Sequence, residues 1–126
     1  MIIKALAFGL SLLLAGCAGA SGQEPVKVTA GRFLSALASG DHGSACALLA
    51  PRARESWAPA DCEGGIAGAN VPDGVPETVS VWSEEAQVKT ARDTLFLHES
   101  PTGWLITGAG CRHRNEQVYD CVVGGP

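Results

Sequence analysis

The distribution of apolar and polar positions divides the chain into an apolar leader, a helical half and a strand half. In the leader, residues 5–14 are almost continuously apolar and follow a single charge, Lys4. This order is typical of the charged and apolar regions of an export signal. As a helix, residues 5–16 span about 18 Å, which is short of the ~30 Å hydrocarbon core of a bilayer. We therefore predict a removable signal rather than a permanent transmembrane helix.

The helical half begins after residue 24. Gly40 is placed to end a first helix over residues 25–39. Asp41 is placed to cap the N-terminus of a second helix over residues 42–50. In the first helix, apolar side chains recur at the i, i+3 and i+4 spacing of an amphipathic helix: Ala30, Phe33, Leu34, Leu37 and Ala38.

Less regular segments follow the second helix. Pro51 either ends that helix or begins another turn, and residues 59–62 indicate a third short helix. Residues 64–74 are rich in glycine, and we expect an irregular chain there.

The strand half begins at Val75. Its short segments are rich in Val, Thr, Leu and Trp, and turn residues separate them. No helical pattern lies between the segments, which disfavours a parallel sheet built from βαβ units. Helices followed by an antiparallel meander define an α+β fold. The predicted strands are residues 77–83, 86–91, 94–99, 104–109 and 117–123.

Alternation along the third predicted strand assigns its side chains to opposite faces of the sheet. Leu95 and Leu97 share one face, whereas Phe96 and His98 share the other. If the leucine face is the core, His98 is exposed to solvent. If the concave face carries Phe96, His98 becomes a base in a pocket, since an imidazole titrates in the physiological range. The sequence leaves both alternatives open.

The charge pattern excludes one class of partner. The chain has a formal net charge of -4, and its only basic run is residues 112–114. Binding to nucleic acid needs a concentrated basic face, so we expect no nucleic-acid partner. The sequence contains neither a glycine-rich phosphate loop nor a G-x-S-x-G elbow, and we predict no cofactor.

Four of the five cysteines lie in the domain. An even number of cysteines in an exported chain is typical of disulfides, and these four allow three pairings. We expect the nearest-neighbour pairing, Cys46 with Cys62 and Cys111 with Cys121, which places one bridge in each half. The spacings contain no C-x-x-C knuckle of the kind that structural zinc sites use, so no metal is predicted.

The fifth cysteine ends a short motif, Leu14-Ala15-Gly16-Cys17, that resembles the lipobox of bacterial lipoproteins. The resemblance implies a diacylglyceryl group on the Cys17 thiol and cleavage that makes Cys17 the first residue. It divides the chain into a signal peptide (1–16), a flexible tether (17–24) and a domain (25–126). We expect the outer face of the cell membrane, because two acyl chains hold a protein stably there. The alternative is a plain secretory signal with an incidental cysteine.

A second resemblance rests on "RFLSALASGDHGSACALLAP", Cys62 and "GWLITGAGCRHRNEQVYDCVVGG". These segments are similar to a group of small lipoproteins of high-GC Gram-positive bacteria that brings no established activity with it. The resemblance covers residues 26–125 and implies an NTF2-like cone, in which N-terminal helices pack on a curved antiparallel sheet of about five strands. It also implies two disulfides in that domain.

Candidate cavity residues on such a fold are His98, Trp82 and Trp104. His98 is a candidate pocket base, and the two tryptophans are candidates for core or cavity-lining positions. Glu99 points away from His98, because neighbouring strand residues face opposite sides. We expect Tyr119, the single tyrosine, to pack on the hairpin disulfide.

No residue is assigned to catalysis. Asp93 lies in a turn and Asp120 lies on the last hairpin, and neither has an identifiable partner in the sequence. We therefore expect a non-catalytic domain that binds a small apolar ligand or an envelope protein. The alternative is a small cone enzyme of the isomerase or dehydratase type, with His98 or an acid as general base.

Overall fold

Three α-helices precede five strands in the structure, a computed structural model that describes residues 22–126. Cys17 and the signal peptide lie outside the described residues. The helices are α1 (Gln23–Ala38), α2 (His42–Ala47) and α3 (Cys62–Gly68), with a 3₁₀ helix (Pro51–Arg54) between α2 and α3. The strands are β1 (Thr78–Trp82), β2 (Glu85–Lys89), β3 (Thr94–Ser100), β4 (Gly103–His113) and β5 (Tyr119–Gly124).

The five strands form one antiparallel meander in the order β1-β2-β3-β4-β5. α1 packs across β1, β2 and β4, so the helices cover one face of the sheet. The predicted α+β fold, with N-terminal helices packed on an antiparallel sheet of five strands, is confirmed. Within residues 22–126, no helix is both long and apolar enough to cross a membrane.

The core lies between α1 and the sheet. Phe33 on α1 and Leu95 and Leu97 on β3 are each 0% exposed. Burial of a side chain of this size stabilises the fold by about 1.5–3 kcal/mol. The leucine face of β3 is therefore the core face, and alternation places His98 on the opposite face of the sheet.

The junction between α1 and α2 forms as predicted. Gly40 follows α1 with a φ of +73°, a conformation that glycine adopts without strain. Asp41 caps α2, because its carboxylate accepts hydrogen bonds from the Ser44 hydroxyl (2.6 Å) and the Ser44 amide (3.1 Å). These two bonds hold the pKa of the Asp41 carboxyl below its usual value, and the bond from the Ser44 hydroxyl has the larger effect.

The second helix is shorter than predicted, because residues 48–50 leave it to pair with β4. The Ala50 amide donates to the Ile106 carbonyl (2.7 Å), and the Ile106 amide donates to the Leu48 carbonyl (2.8 Å). Leu49 and Ile106 thus form an isolated parallel bridge beside the end of β5. Pro51 then begins the 3₁₀ helix, the second of the two roles that the sequence allowed for it.

The prediction of an irregular chain over residues 64–74 is wrong for its first part. α3 continues to Gly68 although its seven residues include three glycines. Two tertiary interactions hold this helix in place: Ile66 is 1% exposed in the core, and Cys62 is bonded to Cys46 of α2. Tertiary packing therefore outweighs the low helix propensity of glycine.

Both predicted disulfides are present in the described part of the chain. Cys46–Cys62 joins α2 to the first residue of α3, with Cα atoms 6.1 Å apart. Cys111–Cys121 joins two residues that face each other directly across β4 and β5. The loop between the fourth and fifth predicted strands is shorter than expected, because β4 continues to His113 and pairs there with Tyr119.

Candidate functional site

A pocket of about 380 Å³ lies where the 3₁₀ segment meets the sheet. Residues 50–55 supply one wall, because the bridge to Ile106 directs this segment across the strands. Strands β2, β3 and β4 supply the other wall. The lining residues are Ala50, Pro51, Arg52, Glu55, Glu85, His98 and Thr107.

The sheet register brings the strand residues of the pocket together. Glu85 of β2 lies directly opposite His98 of β3, and His98 lies directly opposite Leu105 of β4. Directly opposed residues of antiparallel strands share one face, so the three side chains form a row on the face opposite the core. His98 therefore faces away from the core and still lines a pocket, which the two sequence alternatives had treated as mutually exclusive.

A short polar contact organises this row. His98 Nδ1 lies 2.6 Å from Glu85 Oε1, and each side chain is 42% exposed. In the neutral tautomer that this contact favours, Nδ1–H donates to the carboxylate and Nε2 is left as an acceptor. Glu85 thus orients the imidazole, in the way that a carboxylate orients a histidine in many binding and catalytic sites.

Thr107 also lines the pocket. It is 1% exposed, and its Oγ1 has no hydrogen-bond partner among residues 22–126. A shift of strand register between Phe96 and Leu97 places Thr107 opposite no residue of β3, as in a β-bulge. A buried hydroxyl without a partner costs about 1–3 kcal/mol, so Thr107 carries an unmet hydrogen-bonding group among the lining residues of the pocket.

The structure brings two of the three predicted cavity residues to one face. Trp82 lies directly opposite Glu85, and it therefore extends the row that contains His98. Its side chain is 50% exposed. Trp104 faces the core instead and is 6% exposed. The row of four residues, Trp82, Glu85, His98 and Leu105, is called the polar-face row below.

Tyr119 has aromatic neighbours that the sequence analysis did not identify. Its ring packs edge-on against Phe96 (5.0 Å between centroids) and lies 3.9 Å from the ring of His113. Its hydroxyl oxygen accepts a hydrogen bond from Gln87 Nε2 (3.2 Å). Tyr119 is therefore a packing residue of the outer sheet face.

The expectation that Asp93 has no partner is wrong. Asp93 is 8% exposed, and its carboxylate accepts hydrogen bonds from the amides of Gly110 (3.0 Å), Cys111 (3.0 Å) and Thr94 (2.7 Å). It binds the backbone of β4 where β4 runs past the first residue of β3. Burial raises the pKa of the Asp93 carboxyl, although these three bonds and the charge of Arg112 act in the opposite direction.

The expectation for Asp120 is also wrong. Asp120 accepts hydrogen bonds from the Arg114 guanidinium, with Nε and Oδ2 2.9 Å apart. This partner lowers the pKa of the exposed Asp120 carboxyl. The pair closes the β4–β5 hairpin, which places both residues in a structural role.

Four pocket residues were missed by the sequence analysis: Arg52, Glu55, Glu85 and Thr107. A signal existed for Glu85, because the turn at Arg92 and Asp93 sets the hairpin register that places Glu85 opposite His98. Arg52 and Glu55 reach the pocket only through the bridge at Ile106. That contact spans most of the domain and leaves no local pattern in the sequence.

A larger depression of about 590 Å³ lies between α1 and α2. Three of its polar side chains already bind within the helical region: Asp41 accepts from Ser44 in the α2 cap, and the Ser39 hydroxyl donates to the Ala36 carbonyl. It is an open groove, and within residues 22–126 none of its polar side chains is a buried group without a partner. The pocket at His98 is therefore the better candidate site.

The part of the chain that the structure describes contains no group of three or more His, Cys, Asp or Glu side chains arranged to hold a metal ion. Comparison of the chain with models of protein families, with curated proteins and with solved structures finds no match.

Proposed function

We propose that this protein is a lipoprotein, held at the outer face of the cell membrane through Cys17, whose domain binds a small ligand in the His98 pocket. The lipobox-like motif ending at Cys17 supports the membrane attachment. The two disulfides support an oxidising, extracytoplasmic location. Kinship with small lipoproteins of high-GC Gram-positive bacteria, and an NTF2-like relationship for residues 25–126, belong to the same proposal.

The observation that carries the binding function is the Thr107 hydroxyl, which has no partner among residues 22–126 and shares the pocket lining with the His98–Glu85 pair. A domain that only needed a stable sheet would gain from valine at this position, because valine has the same shape and no polar atom to satisfy. The concave site favours a small ligand over an envelope-protein partner. Its charged lining favours a polar ligand over the apolar one expected from the sequence.

The His98–Glu85 contact also favours a second candidate function, a small enzyme of the isomerase or dehydratase type with His98 as general base. Binding without catalysis remains the better proposal for this site. Both side chains are 42% exposed, whereas catalytic bases act most effectively where water is excluded. Recovery of a bound compound in unchanged form, measured by mass spectrometry after prolonged incubation, distinguishes the two functions.

The membrane attachment is tested at Cys17. Cys17→Ala is expected to abolish incorporation of a labelled fatty acid into the chain, because the thiol is the proposed site of acylation. A chain in which a plain secretory signal replaces residues 1–17 is expected to move from the membrane fraction to the soluble fraction. Ser21→Ala, a change within the tether, is the control and keeps the label. Label retained by Cys17→Ala, or absent from the native chain, contradicts the attachment.

The binding function is tested at Thr107. Thr107→Val is expected to raise the free energy of unfolding by about 1 kcal/mol, because it removes an unpartnered buried hydroxyl. The same change is expected to weaken ligand binding about tenfold or more, the loss of one buried hydrogen bond. Unfolding is measured with urea, and binding by amide chemical shifts on addition of small polar compounds.

Thr107→Ser is the matched control for this test. It keeps the hydroxyl and loses one methyl group, so it is expected to lower stability by about 1 kcal/mol while it preserves binding. A Thr107→Val protein that is less stable than the native protein indicates a structural role for the hydroxyl. That result, or compounds that leave the signals of His98 and Thr107 unchanged, counts against the proposed function.

A further inference from the structure

We infer that the ligand of the His98 pocket is a neutral saccharide, with Trp82 as the surface on which its ring stacks; this inference rests on the proposed function. Three properties of the pocket lead to this class of ligand. They are the balance of charges in its lining, the mixture of hydrogen-bond donors and acceptors, and the position of an exposed indole beside the carboxylate.

The charges of the lining favour a ligand without net charge. Arg52 contributes a positive charge, and Glu55 and Glu85 contribute negative charges. His98 adds a titratable group that is already paired with Glu85. The two carboxylates repel a simple anion and attract a simple cation, and Arg52 in the same lining offsets part of that attraction. A neutral ligand meets no such repulsion, and its dipolar groups interact with charges of both signs.

The hydrogen-bonding groups of the lining favour hydroxyls on the ligand. The carboxylates accept only, and the Arg52 guanidinium donates only. Thr107 can do both, and its hydroxyl has neither kind of partner in residues 22–126. A ligand hydroxyl can donate to a carboxylate and accept from a guanidinium. Several hydroxyls on one small framework therefore match this lining more completely than an amine or a carboxylic acid does.

The polar-face row supplies apolar surface on both sides of its polar centre. Trp82 lies in register beside Glu85 and is 50% exposed. Leu105 lies opposite His98 on the other side and is partly buried. A pyranose ring has an apolar face of C–H groups and a rim of hydroxyls. It can therefore lie on an indole while its rim reaches Glu85 and the pocket.

The size of the pocket agrees with a single sugar unit. A volume of about 380 Å³ lies near the lower end of the range for small-molecule sites. The position of the site on an exposed sheet face leaves room for a second unit to continue past Trp82 into solvent. A terminal or branching sugar of a longer glycan fits this geometry as well as a free monosaccharide.

The test is a titration of the full-length chain, labelled with ¹⁵N and followed by its amide and indole signals. The sugar probes are methyl β-D-glucopyranoside, methyl α-D-mannopyranoside and N-acetyl-D-glucosamine. The charged probes are tetramethylammonium chloride and sodium acetate. At least one sugar is expected to shift the Trp82 indole signal together with the amides of His98 and Thr107, with a single saturable affinity. The charged probes are expected to leave these signals unchanged.

Variants assign the sugar to the proposed surface. Trp82→Ala is expected to weaken sugar binding about tenfold, the value of one aromatic stacking contact, and Trp82→Phe is expected to weaken it less. The side chain is half exposed, so neither change removes core packing. Val75→Ala, at another exposed apolar side chain (70% exposed), is the control and leaves the affinity unchanged.

The outcomes separate this inference from the proposed function. If a charged probe shifts His98 and Thr107 and no sugar does, the saccharide is the wrong class and the pocket remains a binding site. If a sugar binds with the same affinity to Trp82→Ala, the stacking surface is wrong. If no sugar and no charged probe shifts the pocket signals, the saccharide inference is overturned and the proposed function loses its support.

Discussion

Asp93→Ala is expected to lower the free energy of unfolding by about 3 kcal/mol. The change leaves the amides of Gly110 and Cys111 buried without an acceptor, and each unpartnered buried donor costs about 1–3 kcal/mol. Both amides belong to the part of β4 that lies beyond its pairing with β3, next to the start of β3. No residue of β3 pairs there to replace the carboxylate. Urea unfolding at neutral pH, followed by circular dichroism, measures the effect.

Asp93→Asn is the matched variant for this position. Its one oxygen can keep the bonds from Cys111 and Thr94, while its amide nitrogen faces the Gly110 amide. We therefore expect a loss about half as large as that of the alanine variant. Equal stability of the alanine variant and the native protein would show that these bonds contribute nothing to the fold.

The native protein and the Asp93→Asn variant together test the raised pKa of the Asp93 carboxyl. Because the folded pKa lies above the ordinary value of 3.8, the folded protein binds this proton more tightly than the unfolded chain does. The stabilisation from the protonated group is complete below pH 3.8 and is lost as the pH rises through the folded pKa. Asn does not titrate, so the native protein is expected to lose stability relative to Asp93→Asn as the pH rises over this range. A constant difference contradicts the raised pKa.

The double change Cys46→Ala/Cys62→Ala is expected to lower the free energy of unfolding by about 3 kcal/mol, from the entropy that the unfolded chain regains. It is also expected to expose the amides of α3 to hydrogen exchange. A helix of seven residues is too short to persist without tertiary support, and the disulfide is one of its two attachments. Urea unfolding and amide exchange measure the two effects.

Cys111→Ala/Cys121→Ala is the comparison for this experiment. Its global cost is expected to be similar, about 3 kcal/mol. Its local effect is expected to be smaller, because β4 and β5 remain joined by ladder hydrogen bonds on both sides of the bridge. Two results together would contradict this expectation: protected α3 amides in the Cys46→Ala/Cys62→Ala protein, and rapid exchange of the β5 amides in the Cys111→Ala/Cys121→Ala protein.

The strands were predictable because their signals are local. Alternation in β3 placed Leu95 and Leu97 on one face and His98 on the other, and the complete burial of the two leucines identifies theirs as the core face. The turn residues set the boundaries of β1 and β3 to within one residue of the observed ends. The cap at Asp41 was equally local, since a carboxylate and the amide three residues later need no other partner.

The failures have a shared physical cause, which is contact between segments that lie far apart in the chain. α2 ends early because Leu48 and Ala50 gain strand hydrogen bonds with Ile106. α3 extends into a glycine-rich stretch because Ile66 and the bond to Cys46 hold it. Neither gain is visible in a window of neighbouring residues.

The candidate site divides in the same way. Alternation separated His98 from Leu95 and Leu97, and its proximity to Glu85 follows from the hairpin register. The unpartnered hydroxyl of Thr107 depends on the register shift between β3 and β4, which has no sequence signal. The wall formed by Arg52 and Glu55 depends on the same long-range bridge that shortens α2.

That bridge has a kinetic consequence. Residues 48–50 are synthesised early and Ile106 late. The hydrogen bonds that hold residues 48–50 against β4, and with them this wall of the pocket, can form only when most of the chain is available. A nascent chain therefore lacks this wall of the pocket, however well its first helices have formed. A ligand of the proposed pocket would therefore stabilise only the finished domain, and its uptake would report completed folding.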